Sequence, residues 1–278
     1  MRIAVTGAGG GLGRAFLSRG AGGQDVVPFT HRDLAVEDAQ ATRAALVGAK
    51  PEVVVHLAAM TSVDGCERDP EGARLVNVEG TANVARAARE AGASLVALST
   101  DYVFDGQKED PYDERDEPNP LSVYGRTKLG AERAVSEAGG RWLVVRTSWV
   151  FGAEGEFVRR AVARLARGDE VGGIVDQIGT PTFVGHLAER LVPLIESETW
   201  GIVHLAGSEA ATWYDVLTRA KALRDLPGEV VEQKADELDR PAPRPRNSAL
   251  ASVVLPTTGV PPMPSLDEGI EEVVAGVR

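Results

Sequence analysis

Short apolar runs recur along the chain at Ile3 to Val5, Val26 to Phe29, Val53 to Leu57, Leu95 to Leu98, Leu143 to Val145 and Ile202 to Leu205. Each is strand-sized and lacks strict polar alternation, the pattern of a strand covered on both faces. Between the runs lie alanine- and arginine-rich stretches. Thr81 to Ala91, with Ala82, Val84, Ala85 and Ala88, and Leu129 to Ala138 have the spacing of helices packed on a sheet. Strand–helix alternation of this kind predicts an α/β fold of Rossmann type, a doubly wound and mostly parallel sheet.

After about Val150 the alternation loosens and prolines cluster, in Asp239 to Pro245 and in Pro256 to Pro264. This predicts a smaller C-terminal lobe for substrate binding, built from about 151–182 and 207–278, beside a dinucleotide-binding domain of 1–150 completed by about 183–206. Two capped helices are expected in the lobe. Thr212-Trp213-Tyr214-Asp215 precedes an apolar-periodic run, and Ser265-Leu266-Asp267-Glu268 has capping-box spacing ahead of Ile270, Val273, Val274 and Val277. The acidic, proline-bearing stretch from Asp105 to Pro120 reads as a loop that either borders the active site or is a plain surface excursion.

Charge and cysteine content narrow the function classes. A net charge of -11 with pI near 5.0 argues against a nucleic-acid or anionic-membrane surface. The single cysteine, Cys66, cannot form an intramolecular disulfide and fits a reducing cytosol. The segment after Met1 has no secretory pattern, and the apolar runs fall far short of the roughly 20 residues a membrane-spanning helix needs. A cytoplasmic protein without nucleic-acid or membrane partners is the expectation. His31, His56, His186 and His204 are scattered, so no metal site is expected.

Thr6-Gly7-Ala8-Gly9-Gly10-Gly11-Leu12-Gly13 follows the first strand and opens a helix. Gly7, Gly10 and Gly13 let the backbone turn tightly, approach a pyrophosphate and pack helix against sheet, while the helix N-terminus offers free N–H groups to phosphate. Gly11, Leu12 and, after the third strand, Leu57, Ala58 and Ala59 join this candidate cofactor site. An acidic residue after the second strand would hold an adenosine ribose and repel a 2′-phosphate; Thr30, His31 and Arg32 stand there instead. NADPH is therefore preferred, with NADH the alternative. Arg32 can pair with the 2′-phosphate, helped by His31 or Arg14, and Asp33 and Leu34 fall near the adenine.

Tyr124-Gly125-Arg126-Thr127-Lys128 sets a phenol and an ammonium one helical turn apart, a spacing at which the cation can make the phenol a better acid. Ser99-Thr100 ends the fourth apolar run. Together with the glycine loop, this constellation resembles the extended short-chain dehydrogenase/reductase superfamily. Within it, Ser99-Thr100-Asp101-Tyr102-Val103-Phe104, Arg146-Thr147-Ser148-Trp149-Val150, Asp176-Gln177-Ile178-Gly179-Thr180-Pro181-Thr182 and Arg244-Pro245-Arg246-Asn247-Ser248 resemble the dTDP-4-dehydrorhamnose reductase family, in family order from Gly7 to Ser248. The resemblance implies that NADPH delivers a hydride to C4 of a dTDP-linked 4-keto-6-deoxy sugar while Tyr124 gives a proton to the developing alkoxide. By the same resemblance, Thr100 bonds the carbonyl oxygen and Lys128 holds the nicotinamide ribose and tunes Tyr124. Asp101, Tyr102, Trp149 and Gln177 then lie with the sugar, and Arg244 faces the diphosphate.

Other readings share the fold. Related epimerases and 4,6-dehydratases oxidise C4 transiently, but dehydratases carry Asp-Glu after the threonine, where this chain has Asp101-Tyr102. A non-catalytic NADP-binding regulatory subunit would have no need of the phenol. Some family members form a magnesium-bridged dimer through an acidic residue two positions beyond the last loop glycine; Ala15 stands there, so a monomer or an unbridged homodimer is expected.

Overall fold

The computed structural model describes residues 1–276, so Val277 lies outside the described residues. The first half of the chain runs β1 (Arg2–Thr6), α1 (Gly11–Ala15), β2 (Asp25–Phe29), α2 (Ala39–Ala49), β3 (Val53–His56), α3 (Val63–Arg68), α4 (Pro70–Arg74), α5 (Thr81–Glu90) and β4 (Ser94–Thr100). It continues through α6 (Val123–Ala138), β5 (Trp142–Thr147), β6 (Val150–Phe151), α7 (Phe157–Ala166), β7 (Glu170–Ile174) and β8 (Thr182–Phe183). The last elements are α8 (Val184–Glu196), β9 (Gly201–His204), α9 (Trp213–Arg224), β10 (Glu229–Gln233) and α10 (Leu266–Ala275).

Six parallel strands form the main sheet in the order β2-β1-β3-β4-β5-β9. The apolar runs split residue by residue between its two faces. Ile3, Val5, Val53, Val55, Val96, Leu143 and Val145 pack with Phe16, Leu187, Leu191 and Leu194 on one side. Ala4, Val54, Leu95, Ala97 and Val144 pack with Leu46, Val84, Ala88 and Val135 on the other. Successive side chains of a strand point to opposite faces, so a sheet with helices on both sides needs apolar residues at every position. Pro28 is tolerated because β2 is an edge strand.

The chain leaves this sheet after β5 and returns as α8 and β9. Outside it, β7 pairs with β10 and β6 with β8, and α7, α9 and α10 cover a separate core of Phe151, Val162, Phe183, Val216 and Ile270. Both expected capped helices are formed, and each is closed by a capping box, Thr212 with Asp215 on α9 and Ser265 with Glu268 on α10. The segment 105–120 is a surface clasp. Tyr112 stacks on Phe104 with ring centroids 4.2 Å apart and its N–H donates to the Ala249 carbonyl, while Glu114 accepts the backbone N–H groups of His204 and Val253. None of that segment lines the cavity at the C-terminal ends of β1, β3, β4 and β5.

Candidate active site

A cavity of about 510 Å³ opens at the C-terminal ends of β1, β3, β4 and β5. That is where a doubly wound sheet presents its strand-end loops. The glycine loop forms one wall. Gly7 has φ +71°, and a Cβ there would lie 2.5 Å from the Ala58 nitrogen; one on Gly13 would lie 2.4 Å from the Gly7 carbonyl oxygen. The loop therefore lies against the end of β3 at a separation only glycine permits. Gly10, Gly11 and Leu12 line the cavity with Leu57, Ala58 and Ala59. This cradle of bare backbone ahead of a helix fits a dinucleotide pyrophosphate.

The opposite wall carries the chemistry. Thr100 ends β4, and Tyr124 and Lys128 sit on the first turns of α6, all three facing the cavity. Two side chains start α6 where it does: Ser122 Oγ accepts the Gly125 N–H at 3.1 Å, and Glu67 Oε2 accepts the Val123 N–H at 2.9 Å. Gly125 matters for closeness, since a Cβ there would lie 2.1 Å from the Tyr102 carbonyl oxygen. Thr100 Oγ1 donates to Asp101 Oδ1 at 3.0 Å and accepts the Tyr102 N–H at 3.2 Å. Asp101 Oδ2 in turn accepts from Ser148 Oγ at 3.1 Å, so the Thr100 hydroxyl is held from two sides. The Tyr102 and Tyr124 rings meet edge to face, centroids 6.1 Å apart.

Burial dominates the proton affinities here. It pushes the Tyr124 phenol well above its usual range, with the Thr100 hydroxyl pulling the other way and Asp101 adding to the rise. Lys128 is not among the main influences on Tyr124, and burial lowers its own ammonium to about 8 against an opposing pull from Glu132. The sequence expectation that Lys128 acidifies Tyr124 is thus outweighed by desolvation, which disfavours both charged forms. Burial thus favours the neutral phenol of Tyr124, the form that can donate a proton. Burial also raises the Asp101 carboxyl to about 6.

The remaining sequence candidates divide. Asp101, Tyr102 and Trp149 line the cavity, whereas Gln177 is buried outside its lining and Arg244 is tied to Asp64. His31 and Arg32 are exposed beyond the end of β2. Asp33 accepts the Thr30 N–H and hydroxyl through one carboxylate oxygen, Oδ2, at 2.8 and 2.6 Å, and the Leu34 side chain packs into the core under α2 and α5. Arg14 braces the glycine loop by donating to the Gly9 carbonyl at 2.7 Å.

Several contributors carried no sequence signal. Trp213, expected only as the start of a helix, stacks on Trp149 with centroids 4.6 Å apart and lines the cavity. Trp149 has φ 45°, rare for a bulky residue, and its indole occupies the space a Cβ on Gly179 would need. Asn77, fully buried, accepts the Met60 N–H at 2.8 Å and donates to Thr127 Oγ1 at 3.0 Å. It thereby clamps the loop after β3 to the residue next to Lys128.

A Rossmann sheet, a glycine cradle and a Thr–Tyr–Lys wall define an oxidoreductase of the short-chain dehydrogenase/reductase class. The chain belongs to the dTDP-4-dehydrorhamnose reductase family, whose model, the RmlD substrate binding domain, matches residues 1–278. It is 36% identical to a dTDP-4-dehydrorhamnose reductase of Mycolicibacterium smegmatis, over 99% of this chain and 86% of that protein. It is 40% identical to a probable dTDP-4,6-dihydroxy-2-methyloxan-3-one 4-ketoreductase of Streptomyces antibioticus, over 95% of this chain and 91% of that one. The crystal structure of dTDP-4-dehydrorhamnose reductase from Bacillus anthracis in complex with NADP superposes with TM-score 0.94 at 31% identity, covering 99% of this chain and 98% of that one. Among the described residues, no helix is long and apolar enough to cross a membrane.

Proposed function

We propose that this protein reduces the C4 ketone of a dTDP-linked 4-dehydro-6-deoxy-L-hexose with NADPH, giving dTDP-L-rhamnose for polysaccharide synthesis in the cytoplasm. The observation that carries this reading is the convergence of Thr100, Tyr124 and Lys128 on one wall of the cavity whose other wall is the glycine cradle. When bound, the reduced nicotinamide supplies the hydride. The chain's own residues do the rest. Tyr124 holds the proton for the developing alkoxide, and Thr100 Oγ1, backed by the Tyr102 N–H, turns its one proton from Asp101 to the same oxygen. Lys128 takes the nicotinamide ribose. Gly7, Gly10, Gly11, Leu12 and Gly13 receive the pyrophosphate, with Leu57, Ala58 and Ala59 along the cofactor. The NADP-bound Bacillus anthracis relative and the exposed His31 and Arg32 support NADPH over NADH. The sugar rests against Asp101, Tyr102, Trp149 and Trp213. A phenol at Tyr102, where elimination of water would need a carboxylate, supports reduction.

The 40% identity to the Streptomyces antibioticus protein favours a second reading that keeps the reaction and changes the hexose. Following NADPH oxidation with dTDP-4-dehydro-L-rhamnose and with other nucleotide-linked 4-keto sugars separates the two. We expect turnover that Tyr124→Phe lowers about a hundredfold or more with unchanged NADPH affinity. A fully active Phe variant would remove Tyr124 as proton donor.

A further inference from the structure

Lys128 stands on the cavity wall without a counter-ion in contact: among the described residues Lys108, paired with Asp116, is the one lysine in an ion pair. One turn further along α6 comes Glu132, and the four-residue spacing puts the two side chains on one face of the helix. They are 6% and 7% exposed, and both wall a narrow internal gap closed mainly by Ala97, Leu98, Ala131 and Val144. The gap has no room for a water molecule, so no solvent within it screens one charge from the other.

The Glu132 carboxylate is locked from its far side. Arg146 donates through Nε to Oε1 at 2.9 Å and through Nη2 to Oε2 at 2.7 Å, and Ser99 Oγ donates to Oε1. The rest of that guanidinium turns to β9 and the clasp, with Nη1 3.4 Å from His204 Nε2 and Cζ 5.2 Å from the centre of the Phe104 ring. Glu132 is thus the member of the pair that faces Lys128. The other titratable groups around Lys128 are Tyr124 on the same helix, His56 at the end of β3, Cys66 on α3, and Asp101 and Tyr102 after β4. Burial favours the neutral forms of Tyr124 and His56. Burial also lowers the Lys128 ammonium to about 8, with Glu132 the main influence opposing that fall and Cys66 a lesser one.

We propose that Glu132 is a positioning residue for Lys128, a carboxylate locked by Arg146 and Ser99 that keeps the neighbouring ammonium charged inside the buried wall. The charged form offers three donors to ribose hydroxyls, so the consequence for turnover rests on the reductase reading, whereas the titration of Lys128 does not. Carbon-13 NMR of the full chain labelled at lysine Cε reads that titration directly. The sequence has five lysines, Lys50, Lys108, Lys128, Lys221 and Lys234, and Lys128→Arg identifies the signal by removing it. Glu132→Gln should lower the Lys128 pKa from about 8 by about one pH unit or more, leaving about half or less of it charged at pH 7. Glu132→Asp, which keeps the charge, should recover most of that loss. Far-UV circular dichroism and an unchanged titration of Lys108, ion-paired in the clasp, confirm that each variant is folded. If Arg146, left without its carboxylate, prevents Glu132→Gln from folding, the same substitution with Arg146→Met strands neither charge and carries the same expectation. A Lys128 that titrates as in wild type in the folded Gln variant, or equally low in the Asp and Gln variants, overturns the inference. A wild type that oxidises NADPH with no 4-keto sugar overturns the proposed function instead and leaves this inference to the titration.

Discussion

His56 is the clearest case of burial setting a residue's chemistry. Its ring bridges Thr6 Oγ1 at 2.7 Å and Thr81 Oγ1 at 3.0 Å, tying β1 and β3 to α5, and burial lowers its pKa to about 3. Between that value and the ordinary 6.5, the unfolded chain binds a proton that the folded chain refuses. Stability should therefore be complete above pH 6.5 and fall by about 1.4 kcal/mol per pH unit as the pH drops toward 3. Urea unfolding at pH 7.5 and 4.5 checks this: His56→Gln should lose about 2–3 kcal/mol less than wild type between the two. An equally steep loss would mean another group is responsible. Asp101 acts in the opposite sense, because its raised pKa makes stability fall as pH rises from 3.8 to about 6. At this scale Tyr124 and Lys128 were legible from a four-residue spacing, but their proton affinities were not. Spacing reports which groups are neighbours, and desolvation depends on everything packed around them.

At the scale of elements, the site exists because α6 comes unusually close to the end of β4. Gly125 permits this. On a free helix, Gly125→Ala would add up to about 1 kcal/mol of stability from propensity alone. Here the new methyl would meet the Tyr102 carbonyl oxygen, which is backbone and cannot turn aside. The clash should win, giving a net loss of about 1–3 kcal/mol in denaturant titration and a lower kcat as Tyr124 shifts from Thr100. A stabilised, fully active variant would show that the close approach is dispensable. The glycines of the first loop were readable because a strand, a spaced glycine run and a helix start are contiguous. Nothing in the Tyr-Gly-Arg-Thr-Lys string says that its glycine faces a backbone carbonyl more than twenty positions earlier in the chain.

Across the whole molecule, the strands are joined beneath the site by a buried charge network. Arg146, fully buried on β5, donates through Nε and Nη2 to the two oxygens of Glu132 on α6 at 2.9 and 2.7 Å. Ser99 of β4 donates to the same carboxylate, and His204 of β9 lies 3.4 Å from Arg146 Nη1. Arg146→Met would strand a buried carboxylate and should cost about 3–5 kcal/mol in thermal or chemical unfolding. Adding Glu132→Gln should restore much of that, since a neutral amide no longer demands a cation; no recovery would mean that Arg146 acts through packing alone. The sequence by itself determined the parallel sheet, the glycine cradle and the Tyr124–Lys128 helix, because each is written in periodicities or spacings shorter than one element. Only the tertiary structure decided that Trp213 stacks on Trp149, that Asn77 clamps Met60 to Thr127, and that Asp64 holds Arg244 from 180 residues away. Those pairings depend on how the sheet order folds distant loops together, and no local pattern of hydrophobic and polar residues records that order.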